Sequence, residues 1–279
     1  METLKKVPIK VVPIDAINQD IVPDVYKAVF AGHPWHEDLV CRNCQTQYTR
    51  NSCGRYDEDR KTSQVSNDCR GGYSHRDDPQ IVLVKEGNLE ACTRDGCGGN
   101  VVEFYPDFCD HRVIVGEAIS KGGFVGYLAM TADEKELIGF SWGYTIPEED
   151  TKSVVFSQVG PLLVEEGIDP KKAFYAAESG IVDRFQGQGL VWPISGRRLV
   201  EARNQGCRTL VTRTINPSVH GYLRASFSGQ EGNFLFKDPV RGSKWFSWDF
   251  DAFNAVEVQR RIEESLQARG GGSWTQSIH

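Results

Sequence analysis

The residues best suited to chemistry form a glycine-rich segment between a β-branched stretch and an amphipathic one. They are Gln186, Gly187, Gln188, Gly189, Leu190 and Val191. A turn that joins a strand to a helix leaves backbone amides unpaired at the helix N-terminus. These amides and the helix dipole favour a bound phosphate, and glycine allows the phosphate to approach the backbone closely. The segment therefore predicts a phosphate-binding turn; the simpler alternative is an ordinary tight turn.

Two common phosphate motifs do not fit this segment. No lysine followed by serine or threonine comes after the turn, which excludes the P-loop of nucleoside triphosphatases. No glycine stands at the third required place after Gly187 and Gly189, and no βαβ pattern surrounds the segment. A dinucleotide-binding turn is therefore also excluded.

Two cysteine pairs form a second candidate site. Cys41 and Cys44 are three positions apart, and Cys92 and Cys97 are five apart. Each pair can bring two thiolates to one ion, and four thiolates complete the tetrahedral shell of zinc. Because a filled shell leaves no open position, we expect a structural zinc, which suits a site without redox chemistry better than iron. The alternative is a set of reduced thiols in a loop.

Other possible metal ligands remain outside this assignment. They are Cys53, Cys69, His75 and Cys109, and they could replace one of the four cysteines or form a second site. The separation over residues 45–91 is also longer than compact zinc ribbons use.

The glycine-rich segment resembles the pyrophosphate-binding motif of the GNAT acetyltransferase superfamily, (Gln or Arg)-x-x-Gly-x-(Gly or Ala). Gln186 and Gly189 occupy the first defined positions, and Val191 stands where the family prefers Gly or Ala. The likeness extends to the first strand and helix, residues 139–143 and residues 173–250. It implies an α/β (α+β) fold with a mixed, mostly antiparallel central sheet, flanking helices and a small cysteine-rich insert.

The resemblance also implies a donor site for acetyl-CoA. In the family, amides at the positions of Ile181 and Val182 bind the pantetheine arm or the oxyanion, and the glycine turn binds the pyrophosphate. The family's asparagine falls on Ile215 by spacing, so that Asn216 fills this role after a shift of one residue.

Two side chains are implied as acid and base. Glu178, three residues before Ile181, matches the glutamate that acts as general base in many relatives; alternatively it only binds a cationic substrate or an arginine. Tyr222 begins a segment that resembles the family's Tyr-x-Lys-x-Gly-Phe, and it would protonate the departing thiolate. Alternatively Tyr222 packs in a helix and water is the acid. His220 could be a second base, although a single histidine in a loop is more often a surface residue.

The elements that must position these residues follow from hydrophobic spacing. Strands are predicted over residues 7–14, 124–130, 136–146, 173–182, 208–214, 234–237 and 245–250. Helices are predicted over residues 22–30, 107–120, 194–204 and around 258–266. We assign residues 1–36 and 107–252 to the acetyltransferase domain, 37–106 to a zinc-binding insert with a long exposed loop, and 253–279 to a C-terminal helix and flexible tail.

Composition and charge narrow the function. The 279 residues carry a formal net charge of −6, which disfavours nucleic acid and anionic membranes as partners. Short apolar runs and the absence of a signal-like N-terminus predict a cytoplasmic protein without a membrane span. We expect an N-acyltransferase that acts on a primary amine of a small molecule or peptide, and a homodimer is possible. The alternative is a catalytically silent GNAT fold that recruits a protein or nucleic acid through its zinc insert.

Overall fold

The computed structural model describes residues 7–15, 18–30, 38–49, 82–83, 91–147, 156, 159–214, 216–237 and 244–270. The described strands are β1 (Ile9–Pro13), β2 (Leu39–Cys41), β3 (Gln47–Thr49), β4 (Val82–Leu83), β5 (Val101–Glu103), β6 (Val125–Thr131), β7 (Leu137–Thr145), β8 (Ala173–Ile181), β9 (Thr209–Thr214), β10 (Asn233–Lys237) and β11 (Lys244–Asp249). The described α-helices are α1 (Val22–Phe30), α2 (His111–Ser120), α3 (Val159–Glu165), α4 (Arg197–Asn204), α5 (Pro217–Ser226) and α6 (Ala255–Gln267). None of these helices is long and apolar enough to cross a membrane.

Seven of the strands form one sheet in the order β1-β6-β7-β8-β9-β11-β10. Every neighbouring pair is antiparallel except β8 and β9, which run parallel. The mixed, mostly antiparallel sheet with flanking helices that the resemblance implied is confirmed. A smaller sheet, β4-β3-β2-β5, is formed by the cysteine-rich region.

Helices cover both faces of the large sheet. Buried residues of α4, α5 and α6 pack with one face, and buried residues of α1 and α2 pack with the other. In α1, Val22, Val25, Tyr26 and Val29 recur at helical spacing and are all buried, while Pro23 lies in the first turn, where its missing amide has no intrahelical partner to lose. The hydrophobic spacing of the sequence therefore identifies the buried face of α1 correctly.

Strands β8 and β9 separate after four paired residues. Their register runs from Ala173 opposite Thr209 to Ala176 opposite Thr212, and no further pairing joins them in the described residues. At this point the Thr212 hydroxyl donates a hydrogen bond of 3.2 Å to the Ala176 carbonyl. The register between β7 and β8 also shifts here, which is the mark of a β-bulge. Residues 177–181 of β8 therefore border a fork that opens between β8 and β9.

Local boundaries differ from the sequence prediction at several points. The helix predicted from residue 107 begins at His111, because the Asp110 side chain caps it by accepting from the Arg112 amide. Residues Phe104–Phe108 form an irregular turn instead, because the backbone at Tyr105 is extended, with φ of −116° and ψ of 128°. A π-helical turn, Trp192–Gly196, precedes α4. The sequence analysis did not predict α3 or α5, although an asparagine cap and a proline mark the start of α5.

The contact between α1 and β8 gives a stability test. A Cβ atom added at Gly180 would lie 2.1 Å from Cγ1 of Val29, so that Gly180→Ala forces the helix off the sheet. We expect the free energy of unfolding in urea to fall by about 1–3 kcal/mol. The matched control is Gly116→Ala in α2, where the added methyl meets nothing within 4 Å. It should raise stability by about 0.5–1 kcal/mol, and equal effects of the two variants would contradict the packing described.

Candidate functional site

The glycine turn follows β8 after one short 3-10 turn, Asp183–Phe185. Gly187 has φ of 71° and Gly189 has φ of 75°, a left-handed conformation that L side chains rarely adopt. The Gln186 amide group fixes the start of the turn, because its Nε2 donates at 3.0 Å to both the Ile181 carbonyl and Asp183 Oδ1. Glycine is thus required by the path of the backbone.

The backbone amides of residues 187–191 form an unpaired group. None of them donates a hydrogen bond to an acceptor within the described residues. The turn Trp192–Gly196 and α4 follow them without a break, so that the positive end of a helical segment lies at the same place. Free amides at the N-terminus of a helical segment are a general means by which proteins bind anions.

The end of β8 presents one free edge to the fork. The Val182 amide donates to the Ile138 carbonyl at 2.9 Å, so this amide is already paired with β7. Because antiparallel residues alternate in the direction of their amides, the Ile181 and Ser179 amides point away from β7, toward the fork. Of the two amides named from the resemblance, that of Ile181 is thus directed into the fork and that of Val182 is not.

Glu178 lies on the α1 side of the sheet. It is the register partner of Trp142, and partners directly opposite each other share one face. Gly180, two residues on, contacts Val29 of α1 on the same face. The Glu178 side chain is half-buried and lies one residue past the bulge, on the part of β8 that borders the fork.

Tyr222 lies on the opposite side of the sheet. It belongs to α5, is buried among residues of α4 and α6, and packs edge-on against the Trp192 ring at 5.0 Å. Its hydroxyl has no hydrogen-bond partner in the described part of the chain. Burial raises the pKa of Tyr222, and the nearby Arg198 guanidinium opposes this shift. The phenol is therefore protonated at neutral pH and can act as a proton donor.

Arg198 is a site residue that the sequence analysis did not identify. Its guanidinium is buried, and Nη1 donates to the Trp142 carbonyl at 2.8 Å and to the Glu178 carbonyl at 3.2 Å. Burial lowers the pKa of Arg198 to about 10, against the attraction of Tyr222 and Glu178, so the group remains charged at neutral pH. The sequence did contain a signal for this residue, because an arginine stands there on the apolar face of the predicted helix.

Asn216 acts as the N-cap of α5. Its side chain accepts from the Ser218 amide at 2.8 Å, and its own amide donates to the Thr214 hydroxyl at 2.9 Å. Ile215, the position that spacing assigned to the family's asparagine, lies outside the described residues. His220 packs against the Phe246 ring at 4.3 Å, and burial lowers its pKa.

The four predicted cysteines come together. Cys41, Cys44, Cys92 and Cys97 have all their sulfur atoms within 4.8 Å of one another. Two of the sulfur pairs, Cys41–Cys97 and Cys44–Cys92, are 3.6 Å apart. Ligands about 2.3 Å from the centre of a tetrahedron are about 3.8 Å from each other, so the spacing fits one metal ion.

Neighbouring groups support thiolates at this cluster. The Thr46 hydroxyl and amide lower the pKa of Cys44 to about 6, and the Tyr48 hydroxyl lowers the pKa of Cys92. The pKa of Cys97 is raised to about 12, because the hydrogen bond from the Gly99 amide, which lowers it, is outweighed by the Cys44 sulfur and by burial. For two of the four thiols, the neighbouring groups therefore favour the thiolate form that metal ligands take.

Gly99 packs directly against the cluster, and Cys109 does not belong to it. A Cβ atom at Gly99 would lie 2.7 Å from the Cys41 sulfur, so the chain can pass this cluster only without a side chain. Cys109 is not a member and packs beside the core under α1. Cys53, Cys69 and His75 lie outside the described residues.

No family model matches the sequence, and no curated protein matches it. The chain is similar to the C-terminal condensation domain of Ebony in complex with β-alanyl-dopamine, at 11% identity over 87% of this chain and 99% of that one, with a TM-score of 0.43. It is also similar to a spermidine N-acetyltransferase from Vibrio cholerae, at 9% identity over 89% and 98% of the two chains, with a TM-score of 0.40. A CoA-dependent acyl-homoserine lactone synthase gives 15% identity over 54% and 66%, with a TM-score of 0.37. Similarities at this level concern the fold alone.

Proposed function

We propose that this protein is an acyl-CoA-dependent N-acyltransferase, with acetyl-CoA as the expected cosubstrate and a primary amine as acceptor. The observation that carries the proposal is the position of the five free amides of residues 187–191 beside the fork between β8 and β9. A long ligand with phosphates at one end and an extended arm fits such an arrangement. The resemblance of the turn to the GNAT pyrophosphate motif supports the same ligand.

The donor would lie along the turn and the edge of β8. The amides of residues 187–191 would bind its phosphates, and those of Ser179 and Ile181 would pair with the pantetheine arm as a missing strand would. Gln186 would act by holding the turn, as its hydrogen bonds to Ile181 and Asp183 indicate. The arm would thus bring the thioester to the part of the fork between Glu178 and Tyr222.

The proposed reaction is direct attack of the amine on the thioester carbonyl. Glu178, on the α1 face, would accept a proton from the amine as its nitrogen bonds to the carbonyl carbon. The tetrahedral intermediate then loses its carbon–sulfur bond, and Tyr222, on the opposite face, would give its proton to the departing sulfur. Arg198, buried between them, would favour the negative charge that develops at this point.

The raised pKa of Tyr222 has a definite consequence for this role. A phenol whose pKa is raised by burial keeps its proton at neutral pH, so it is an acid and not a base in the resting protein. The same burial disfavours a thiolate beside it and raises the pKa of the leaving group. The pKa of Tyr222 and the pKa of the departing thiol therefore both rise, so that burial changes the difference between them little.

The acceptor can be defined only as a class. A primary amine of a small molecule or of a peptide fits the proposed chemistry, and the net charge of −6 favours cationic amines. The cytoplasmic location and a homodimer remain predictions from the sequence.

Calorimetric titration with acetyl-CoA tests the donor site. We expect the wild-type protein to bind, and Gly187→Glu to weaken binding at least about tenfold, because it places a negative charge among the phosphate-binding amides. Gly206→Glu is the matched control: Gly206 also has positive φ and open space around it, but it lies at the end of α4. This control should bind like wild type.

A wild-type protein that does not bind acetyl-CoA would contradict the proposal. That result would favour the alternative of a catalytically silent fold that recruits a partner through its cysteine cluster.

Initial rates with the best amine from a screen of small amines and peptides test the catalytic roles. Tyr222→Phe should lower kcat about 100-fold or more and leave the Kd for acetyl-CoA nearly unchanged, because only the proton donor is lost. Glu178→Gln should lower kcat/KM similarly, because an amide cannot accept the proton of the amine. Tyr127→Phe, at a half-buried tyrosine on β6, is the control. Unchanged rates in Tyr222→Phe would assign the proton donor to another group.

We further propose that the cysteine cluster binds one structural zinc ion. Four thiolates would fill a tetrahedral shell and leave no position for a substrate. The bound ion would connect the β2–β3 hairpin to the segment that leads into β5. The zinc would therefore support folding of this region and take no part in acyl transfer.

Metal analysis of the purified protein tests this assignment. We expect about one zinc ion per chain in the wild type and loss of the ion in Cys97→Ser, with a lower unfolding temperature. Cys109→Ser is the matched control and should keep the metal, because Cys109 lies outside the cluster. Equal loss in both variants would contradict the four-cysteine assignment.

A further inference from the structure

The segment at and just after the end of α6 contacts the glycine turn. The Ser265 hydroxyl donates to the Gly189 carbonyl at 3.1 Å. Arg269 donates twice to Gln188, through Nη1 to the side-chain Oε1 at 3.3 Å and through Nη2 to the backbone carbonyl. Both contacts join positions more than 75 residues apart, and buried Val258, Ile262 and Leu266 anchor the helix that carries them. We call Ser265 and Arg269 the C-terminal clamp.

The clamp determines the direction of the turn's amides. The Gln188 carbonyl and the Gly189 amide belong to one planar trans peptide unit, in which the two groups point in opposite directions. The Gly189 carbonyl and the Leu190 amide are related in the same way. Because the clamp holds both carbonyls toward the C-terminal segment, the two amides point away from it.

Arg269 also brings a full positive charge to the turn. Its side chain is only 3% exposed, and its Nε has no hydrogen-bond partner in the described part of the chain. Burial lowers its pKa, and no carboxylate among the described residues forms an ion pair with it. A buried cation without a counter-charge is unfavourable, so an anion held by the amides on the other side of the same peptide units would be stabilised. The turn itself, residues 186–191, has no basic side chain.

We infer that the C-terminal clamp is a positioning device for the phosphates of the donor. Ser265 and Arg269 orient the amides of Gly189 and Leu190, and Arg269 supplies the positive charge that the turn lacks. A hydrogen bond from a cation to a carbonyl also polarises that peptide unit and strengthens its amide as a donor. The inference rests on the proposed function, because it assigns the means by which that site holds its ligand.

The test compares three variants in calorimetric titration with acetyl-CoA, below the unfolding temperature of each. Arg269→Met keeps the length and apolar packing of the side chain but removes the charge, and it should raise the Kd about tenfold. Arg269→Lys keeps the charge but cannot make both hydrogen bonds to Gln188, so it should raise the Kd less than Arg269→Met does. Arg260→Met is the matched control on the exposed side of α6, where Arg260 pairs with Glu257 and Glu264, and it should leave the Kd unchanged.

Two outcomes would contradict the inference. Wild-type affinity in Arg269→Met, or a loss in Arg269→Lys equal to that in Arg269→Met, would each overturn it while leaving the proposed function intact. Failure of the wild type itself to bind acetyl-CoA would overturn the proposed function.

Discussion

The separation of β8 from β9 is the constraint on which the rest of the site depends. Two parallel strands that stayed paired to their ends would satisfy each other's backbone groups and leave no room between them. Pairing stops instead at Ala176 and Thr212, where the register of β8 against β7 also shifts. The amides of Ser179 and Ile181 then face the fork without a neighbouring strand, and the strand delivers Glu178 to one side of it.

Several unpaired polar groups lie at this fork and at the glycine turn beside it. Folded proteins pair nearly all their buried polar groups, so each exception calls for a physical reason. Here the amides of residues 187–191, the Tyr222 hydroxyl and the Nε atoms of Arg198 and Arg269 all lack partners within the described residues. Two of these groups carry positive charge and the amides are donors, so the region is suited to an anionic, elongated ligand. The packing of α4 and α6 supplies the stability that keeps these groups in place.

The sequence revealed those features that depend on neighbouring residues. The glycine turn, the strands of the large sheet and the buried face of α1 follow from local spacing. The four cysteines selected for their pairwise spacing also lie together in the structure. Contacts between distant segments could not be predicted in this way. Nothing in the spacing of Arg269 indicates that it meets Gln188, and nothing near Arg198 indicates the carbonyls of Trp142 and Glu178. The pairing of the Val182 amide with Ile138 depends equally on the register of two strands.

The contact of the C-terminal segment with the glycine turn affects the order in which the protein can mature during synthesis. Domains begin to fold from the N-terminus while the chain is still emerging from the ribosome. The strands of the large sheet and the turn itself all precede α6, so that they can assemble before Arg269 has been translated. Until then the Gln188 and Gly189 carbonyls lack their contacts with Ser265 and Arg269, while the Gln186 side chain and the Trp192 amide already hold the turn. A nascent chain with a complete sheet would therefore still have a less constrained turn, and translation of α6 and Arg269 would complete its contacts.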